Sequence, residues 1–405
     1  MKILVANLGS TSFKYRLFEM DDERLLARGG VERIGSDQAR IYCSLGDRQW
    51  EEFGAVADHA AALELCLRQL TQPDIRVLSS IDDLAAVGFK AVHARHLTGV
   101  HRVDAAVLDA MEAYNAVAPA HNPIYVRAMR LLAERFPQLP LVAAFETDFH
   151  RTIPPPLRYY AVPYEWAERY GILRHGFHGA SHRYIAERSA QLFGRTRLRV
   201  ISCHLGGSSS ICAIQDGTSV ACSLGMSPQS GLPHNNRVGD FDVFALPALM
   251  RETGRSLDEL LHELARNSGL LGLSGLSNDV RDLEQAAQNG HARAQLALDV
   301  FVASIRHYVG AYLYLLNGAD MIVFTGGIGE NSAAIRRGVC QNLDWFGIHL
   351  DENRNRTARG ETPLHASYSR VQIWIIPTNE ELIVARQTRD LLRHCPPAPG
   401  ARVCS

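Results

Sequence analysis

One pattern occurs twice in this chain, about half its length apart. Residues 3–18 read ILVANLGSTSFKYRLF, and residues 200–214 read VISCHLGGSSSICAI. Each is an apolar run, a polar residue, Leu-Gly, small hydroxylated residues, and a second β-rich run. Asn7-Leu8-Gly9-Ser10 aligns with His204-Leu205-Gly206-Gly207. Each copy predicts a hairpin, because Gly allows a tight turn and Ser and Thr supply hydroxyl donors. Two copies so widely separated predict two related halves. A solenoid would repeat at a much shorter period.

The length fits that reading, since 405 residues correspond to two or three domains. Other segments alternate between strand-like and helical patterns. Residues 84–93 and 139–149 read as buried strands running into polar loops. Residues 320–339 read as strand, Gly turn, helix, and 371–393 as strand, Pro turn, helix with Asn379 as N-cap. Residues 291–316 form a long apolar helix suited to a core or an interface. The alternation predicts an α/β protein. The Pro-rich tail 395–405 is expected to be disordered.

Composition excludes some functions. Lys and Arg total 42 against 43 acidic residues, so no basic excess calls for nucleic acid or an anionic membrane. The opening MKILVANLGS is interrupted by Asn and Gly, and reads as neither a signal peptide nor a membrane span. The eight Cys have no paired metal spacing. Cys203, Cys212 and Cys222 sit in or beside strand-like runs, as buried free thiols do, and a reducing cytoplasm is expected.

Several residues could carry chemistry. Asn7, Ser10, Ser12 and Lys14 would suit phosphate oxygens at the first turn, or form an ordinary exposed hairpin. The loop Gly326-Gly327-Ile328-Gly329-Glu330-Asn331 follows an apolar strand and opens a helix. It would bring backbone close to a nucleotide, or simply connect the two elements. It is not a G-x-G-x-x-G, and no P-loop occurs anywhere. His178 and His182 are four apart, but no Glu lies between them as a zinc protease would require. Arg237 would clamp a phosphate or make a surface salt bridge. Glu146 ends a hydrophobic strand as a base, a metal organiser or a solvated terminus.

Taken in order, NLGSTSFKY, APAHNP, RHGFHGASH, HLGGSSS, SGLLGLSGLSNDVRDL, NGADMIVFTGGIGENS and PTNEEL resemble the acetate kinase family over residues 2–390. That resemblance implies two duplicated actin/ribonuclease-H-like domains with an active-site cleft between them, usually as a homodimer. It implies residues 1–148 plus 378–405 as one domain, and 149–377 as a nucleotide-binding and dimerisation domain. The activity implied is reversible phosphoryl transfer from ATP to a small carboxylate, with Mg²⁺ or Mn²⁺. Asn7 and Glu380 would organise the metal. Lys14, with Ser10 and Ser12, would contact ATP phosphates. Glu146, His178 and Arg237 would be catalytic. His204, Leu205, Gly206, Gly207 and Ser208, then Asp279, Val280 and Arg281, then Gly327, Ile328, Gly329, Glu330 and Asn331, would hold the nucleotide. Lys90, Val92, Ala120, Phe177 and Pro228 would receive the acid.

The departures from the family pattern lie near the acceptor and the transferred group. Lys90 stands where the family has an Arg that holds the carboxylate, and a point charge cannot reproduce a planar fork. Glu146 stands for an Asp, and Ala120 for the usual Leu of the acyl pocket. Gly207 and Ser208 replace the family's Asn and Gly. His234-Asn235-Asn236 replace Met-Gly-Thr before Arg237. Three readings follow: a slow enzyme of the family type, a kinase for a longer or more polar acid, or a nucleotide-binding protein without turnover.

Overall fold

A computed structural model describes residues 1–9, 11–119 and 121–394. Ser10, Ala120 and the tail at 395–405, each the subject of an expectation above, lie outside the described residues. The chain divides into two compact units, Met1–Asp148 with Asn379–Ser405, and Phe149–Thr378.

The first unit is built on an eight-stranded sheet. Its strands are β1 (Lys2–Gly9), β2 (Ser12–Glu19), β3 (Arg24–Glu32), β4 (Ala39–Leu45), β5 (Arg48–Gly54), β6 (Leu84–Ala91), β7 (Val100–Arg102) and β8 (Leu141–Phe145), in the order β5-β4-β3-β2-β1-β6-β8-β7. Period-2 alternation sends β1 side chains to opposite faces. Leu4, Ala6 and Leu8 join the core that includes Leu63 and Leu67 of the helix His59–Thr71, and Met129 of the helix Asn122–Arg135. Ile3 and Val5 pack with Val384 and Ala385 of the helix Glu380–His394. A strand buried on both faces reads as a continuous apolar run, as ILVA does at residues 3–6.

The second unit has six strands: β9 (Arg199–His204), β10 (Ser210–Gln215), β11 (Thr218–Cys222), β12 (Met321–Thr325), β13 (Thr362–Pro363) and β14 (Gln372–Ile375), in the order β11-β10-β9-β12-β14-β13. One face, with Ile201, Cys203 and Phe324, packs with Phe301, Ile305 and Val309 of the helix Ala292–Leu315. The other, with Val200, Val323 and Ile214, packs with Ile185 and Ala186 of the helix Gly179–Phe193. The helix Ala292–Leu315 is long and apolar enough to cross a membrane by composition alone. Its apolar stripe is spent on the core of this unit.

The two sheets share a plan. In the first, β3, β2 and β1 run antiparallel to one another, β6 and β8 then continue parallel to β1, and β7 closes antiparallel. In the second, β11, β10 and β9 are antiparallel, β12 and β14 continue parallel, and β13 closes antiparallel. The repeated sequence pattern thus becomes the β1–β2 and β9–β10 hairpins, each set between an antiparallel strand and a parallel one. This is the duplicated actin/ribonuclease-H-like α/β fold. Strands β4 and β5 extend only the first sheet.

The turn glycines have a different reason from the one the sequence offered. None of Gly9, Gly206 or Gly207 is in the left-handed region. Gly9 is needed for close approach, since a Cβ there would sit 2.5 Å from Ser12 Oγ.

Candidate active site

In the first unit, charged and polar groups gather around Tyr125. Asn7 is the seventh residue of the chain, near the end of β1, opposite Lys14 on β2. The Tyr125 hydroxyl, from the helix Asn122–Arg135, accepts the Leu8 N–H at 3.2 Å and donates to Asn7 Oδ1 at 3.4 Å. Lys90 lies on β6, and its ammonium donates to Glu380 Oε2. Glu380 opens its helix, whose first turn Asn379 caps by accepting the Leu382 N–H at 3.3 Å. Glu146 follows β8 and is 4% exposed, so it is not a solvated strand end. Its own N–H donates to the Ala91 carbonyl at 2.8 Å.

Burial works against the charge on Lys90. The carboxylates of Glu380 and Glu146 outweigh it and raise the ammonium above its ordinary pKa. The same groups act on Tyr125, where burial is the larger influence and raises the phenol. Lys14 is half exposed and lies 3.7 Å from Glu32 Oε1, while Ser12 pairs across from Gly9. Val92 is buried just beyond β6. A cavity of about 140 Å³ lined by Asn7, Lys14, Arg16 and Glu381 is too small for a nucleotide.

The amide oxygen of Asn7 and the carboxylate of Glu380 are hard donors, which is the chemistry that suits Mg²⁺. The residues present therefore fit a hard divalent cation in type. The Lys90 ammonium already neutralises Glu380, so a cation taken there must share that carboxylate with Lys90.

In the second unit the groups are cationic or imidazole-based. His178 is the N-cap of the helix Gly179–Phe193 and adopts φ 56°, ψ 33°, a left-handed conformation that costs a non-glycine residue roughly 1–2 kcal/mol. Its ring stacks on His204 with centroids 4.3 Å apart, and its Nδ1 shares a hydrogen bond with Ser210 Oγ at 2.8 Å. His204 ends β9, and its Nδ1 is bonded to Ser181 Oγ at 2.8 Å. The turn that follows is held from behind. His234 Nδ1 accepts the Ser209 N–H at 3.0 Å, Asn235 N–H donates to the Gly207 carbonyl at 3.2 Å, and Ser208 is half-buried. His234 is thus neutral; burial first, then the Arg237 charge, lowers it to about 3.

Arg237 is no surface salt bridge. It donates through Nη1 to the carbonyl of buried Pro228 at 2.7 Å, and among the described residues no carboxylate pairs with it. Burial lowers its guanidinium to about 10, which still leaves it charged at neutral pH. A desolvated guanidinium without a counter-charge is an anion site in waiting. Phe177 is buried, and its carbonyl accepts from His150 Nε2 at 2.8 Å.

The glycine loop is first of all a tight strand–helix connection. Leu205 N–H donates to the Thr325 carbonyl, and the Leu205 carbonyl takes the N–H groups of Ile328 and Gly329 at 2.9 and 3.1 Å. Those two amides are spent on locking the loop to the second hairpin. Glu330 accepts the Gly326 N–H at 3.0 Å, and Asn331 Nδ2 donates to the Gly327 carbonyl at 2.8 Å. A side chain at Gly327 would meet nothing within 4 Å, so its surface is open. Asp279 is the N-cap of the helix Val280–Gln288 and pairs with exposed Arg281 at 2.6 Å, while Val280 is buried.

His178 and His182 do not form a metal pair. His150, His182 and Cys222 do bring ligand atoms within 4.8 Å of one another. Both ring nitrogens of His150 and of His182 are already bonded, to Ser219 and the Phe177 carbonyl, and to Ser202 and Ser210. This is a hydrogen-bonded cluster. Sequence reading missed Tyr125, Ser210, Ser202 and the buttressing role of His234. Tyr125 had one weak signal, its place in the first turn after the APAHNP loop.

Two ribonuclease-H-like units, one with a lysine–carboxylate cluster and one with an arginine that no carboxylate pairs among the described residues, suit phosphoryl transfer, and the relatives are phosphotransferases with a carboxyl group as acceptor. The family model described as the Acetokinase family matches residues 2–386. An acetate kinase of Moorella thermoacetica is 41% identical over 396 residues, covering 97% of this chain and all of that protein. An acetate kinase of Clostridium kluyveri is 39% identical over 397 residues, 97% of this chain and 98% of that one. Among solved structures, a propionate kinase from Francisella tularensis superposes with TM-score 0.88 at 32% identity, covering 96% of this chain and 99% of its own. Porphyromonas gingivalis acetate kinase gives 0.87 at 34%, with the same coverage. The chain belongs to the acetokinase family.

Proposed function

We propose that this enzyme moves the γ-phosphoryl group of ATP reversibly to acetate or a related short-chain acid, giving an acyl phosphate and ADP. The observation that carries the reading is Arg237, a partly buried guanidinium with no carboxylate partner among the described residues. A carboxylate oxygen attacks phosphorus as the bond to the β-phosphate oxygen breaks. No proton needs to be removed from a carboxylate, so catalysis is alignment and charge neutralisation. Arg237 and His178 stabilise charge on the phosphoryl oxygens in flight. By resemblance to the family, Lys90 would hold the acid, and Val92, Ala120, Phe177 and Pro228 are assigned to its apolar part. Glu146 acts by fixing Lys90 rather than as a base.

Asn7 and Glu380 would hold Mg²⁺ or Mn²⁺, which when bound neutralises phosphate charge. Lys14, Ser10 and Ser12 belong to the phosphate end. The 204–208 turn, Asp279–Arg281 and Gly327–Asn331 are assigned to the nucleotide. The assignment gives the metal to residues 1–148 plus 378–405, the nucleotide to residues 149–377, and the acid to residues of both. Exposed Val243, Phe244, Tyr314 and Trp345 on the second unit would be covered in a homodimer. Six buried free cysteines support a cytoplasmic location.

Alanine at 120 in place of the family's Leu has a smaller side chain, which would enlarge the acid site. At about 1–3 kcal/mol per methylene, propionate, butyrate or a hydroxy acid should be preferred over acetate. A hydroxamate assay with ATP and Mg²⁺ across these acids decides the matter. Acyl phosphate from at least one of them is expected. ATP binding without transfer to any acid would overturn the kinase reading, and a clear preference for acetate would overturn the enlarged pocket.

A further inference from the structure

We infer that a buried hydroxyl–imidazole chain, Ser202–His182–Ser210, sets the tautomer of His178 and so fixes which ring nitrogen presents a proton. This rests on the reading of His178 as a phosphoryl-facing group. Ser202, His182 and Ser210 are each fully buried in the second unit. Ser202 Oγ meets His182 Nδ1 at 2.8 Å, His182 Nε2 meets Ser210 Oγ at 2.8 Å, and Ser210 Oγ meets His178 Nδ1 at 2.8 Å.

The direction of each bond follows from counting protons. Among the described residues the Ser202 hydroxyl has one hydrogen-bond partner, His182 Nδ1. A buried hydroxyl proton left without an acceptor costs roughly 1–3 kcal/mol. Ser202 therefore donates, and His182 Nδ1 carries the lone pair. His182 is neutral, because burial, followed by the influence of His150 and His204, holds it well below its ordinary pKa. A neutral ring with its lone pair at Nδ1 has its proton at Nε2. His182 Nε2–H thus donates to Ser210 Oγ. Ser210 has one proton and one remaining partner, so it donates to His178 Nδ1. His178 is left with its proton on Nε2, the nitrogen turned away from the chain.

The reverse order would strand the Ser202 proton in the core. Proton placement is thus dictated from the buried end outward. His178 Nε2–H is then a fixed donor, the tautomer that a phosphoryl oxygen requires. Ser210, Ser202 and His182 are positioning residues: they act through His178.

The test is ¹⁵N NMR on full-length protein with labelled histidine, with kinetics in parallel. Wild-type His178 should show an unprotonated Nδ1 and a protonated Nε2. Ser210→Ala should move His178 toward the other tautomer, and Ser210→Thr should restore it. With the acid that the enzyme uses, Ser210→Ala should lower kcat about 10–100-fold with little change in KM for ATP, and Ser210→Thr should recover most of it. Ser202→Ala, one bond deeper, should shift the His178 signals in the same direction by less. An unchanged His178 tautomer in folded Ser210→Ala and Ser202→Ala would overturn the inference. A shifted tautomer with unchanged kcat would support the chain and overturn the assigned role of His178.

Discussion

The β1–β2 and β9–β10 hairpins occupy the same place in two sheets of the same plan, yet their chemistry has diverged. The first is steadied by two groups from flanking helices: Tyr125 on Leu8 and Asn7, and His59 Nε2 bonded to the Gly9 carbonyl at 2.9 Å. Around it lie oxygen donors and the ammonium groups of Lys14 and Lys90. The second is steadied by imidazoles and hydroxyls, with His204, His182, His234, Ser209 and Ser210 in or against it. A bare guanidinium follows in Arg237. One backbone device therefore serves two charge environments. The first suits a cation, a carboxylate and, through Lys14, a phosphate end, and the second suits a polyanion. Duplication conserved the hairpin because the buried apolar faces demand it, and freed the turn residues to specialise.

The largest expected effect tests the anion side. Arg237→Ala should lower kcat by about 10³ or more, the scale of a lost transition-state arginine. Arg237→Lys should recover little, since an ammonium lacks the fork. A loss under tenfold would leave the second unit without its assigned charge.

Next is acid stability. Burial holds His150 at about 4 and His234 at about 3, with Arg237 adding to the latter. Both are depressed from 6.5. Above pH 6.5 folded and unfolded chains are neutral at these sites, and stability is full. As pH falls, the unfolded chain takes up protons that the folded unit refuses. Each site then costs up to about 1.4 kcal/mol per pH unit until its folded pKa is reached. Denaturant titrations at pH 7 and pH 5 should show the second unit losing stability first. Trp166, Trp345 and Trp374 report that unit, and Trp50 the other. Simultaneous loss would break the contrast.

Two glycines sharpen it further. A Cβ at Gly326 would lie 2.7 Å from the Leu205 carbonyl oxygen, at φ 78°, where neither backbone can yield. Gly326→Ala should cost on the order of 2–3 kcal/mol in denaturant unfolding. Gly9→Ala meets the Ser12 hydroxyl, which can rotate away, and should cost under about 1 kcal/mol.

The smallest effect concerns the acid side. Lys90→Arg and Glu146→Asp, singly and together, should be coupled in kcat/KM by about 0.5–1 kcal/mol, because both groups lie in one charge cluster. Strict additivity would show that the two substitutions arose independently.

Much of this was legible in the chain. ILVANLGSTSF and VISCHLGGSSS give two hairpins by their apolar runs and glycine turns, and Asn379 before Glu380-Glu381 gives a capped helix. The site was less legible. Asn7, Lys90, Glu146 and Glu380 are scattered from β1 to the last helix, and nothing local tells Lys90 that it meets Glu380. The spacing of His178 and His182 lacked the Glu of a zinc motif and gave no role for His182. The fold spends His182 on two serines from the neighbouring strands.

The repeated hairpins were thus determined by sequence, because strand alternation and glycine turns are local physics acting over a few residues. Family membership was equally legible, as an ordered set of such local motifs. What only the tertiary structure decided is the state of each charge: Lys90 neutralising Glu380, Arg237 left without a carboxylate among the described residues, and His182 held neutral. Those depend on burial and on which distant residue arrives as partner. Both are set by how the sheets stack their helices, and no window of sequence contains them.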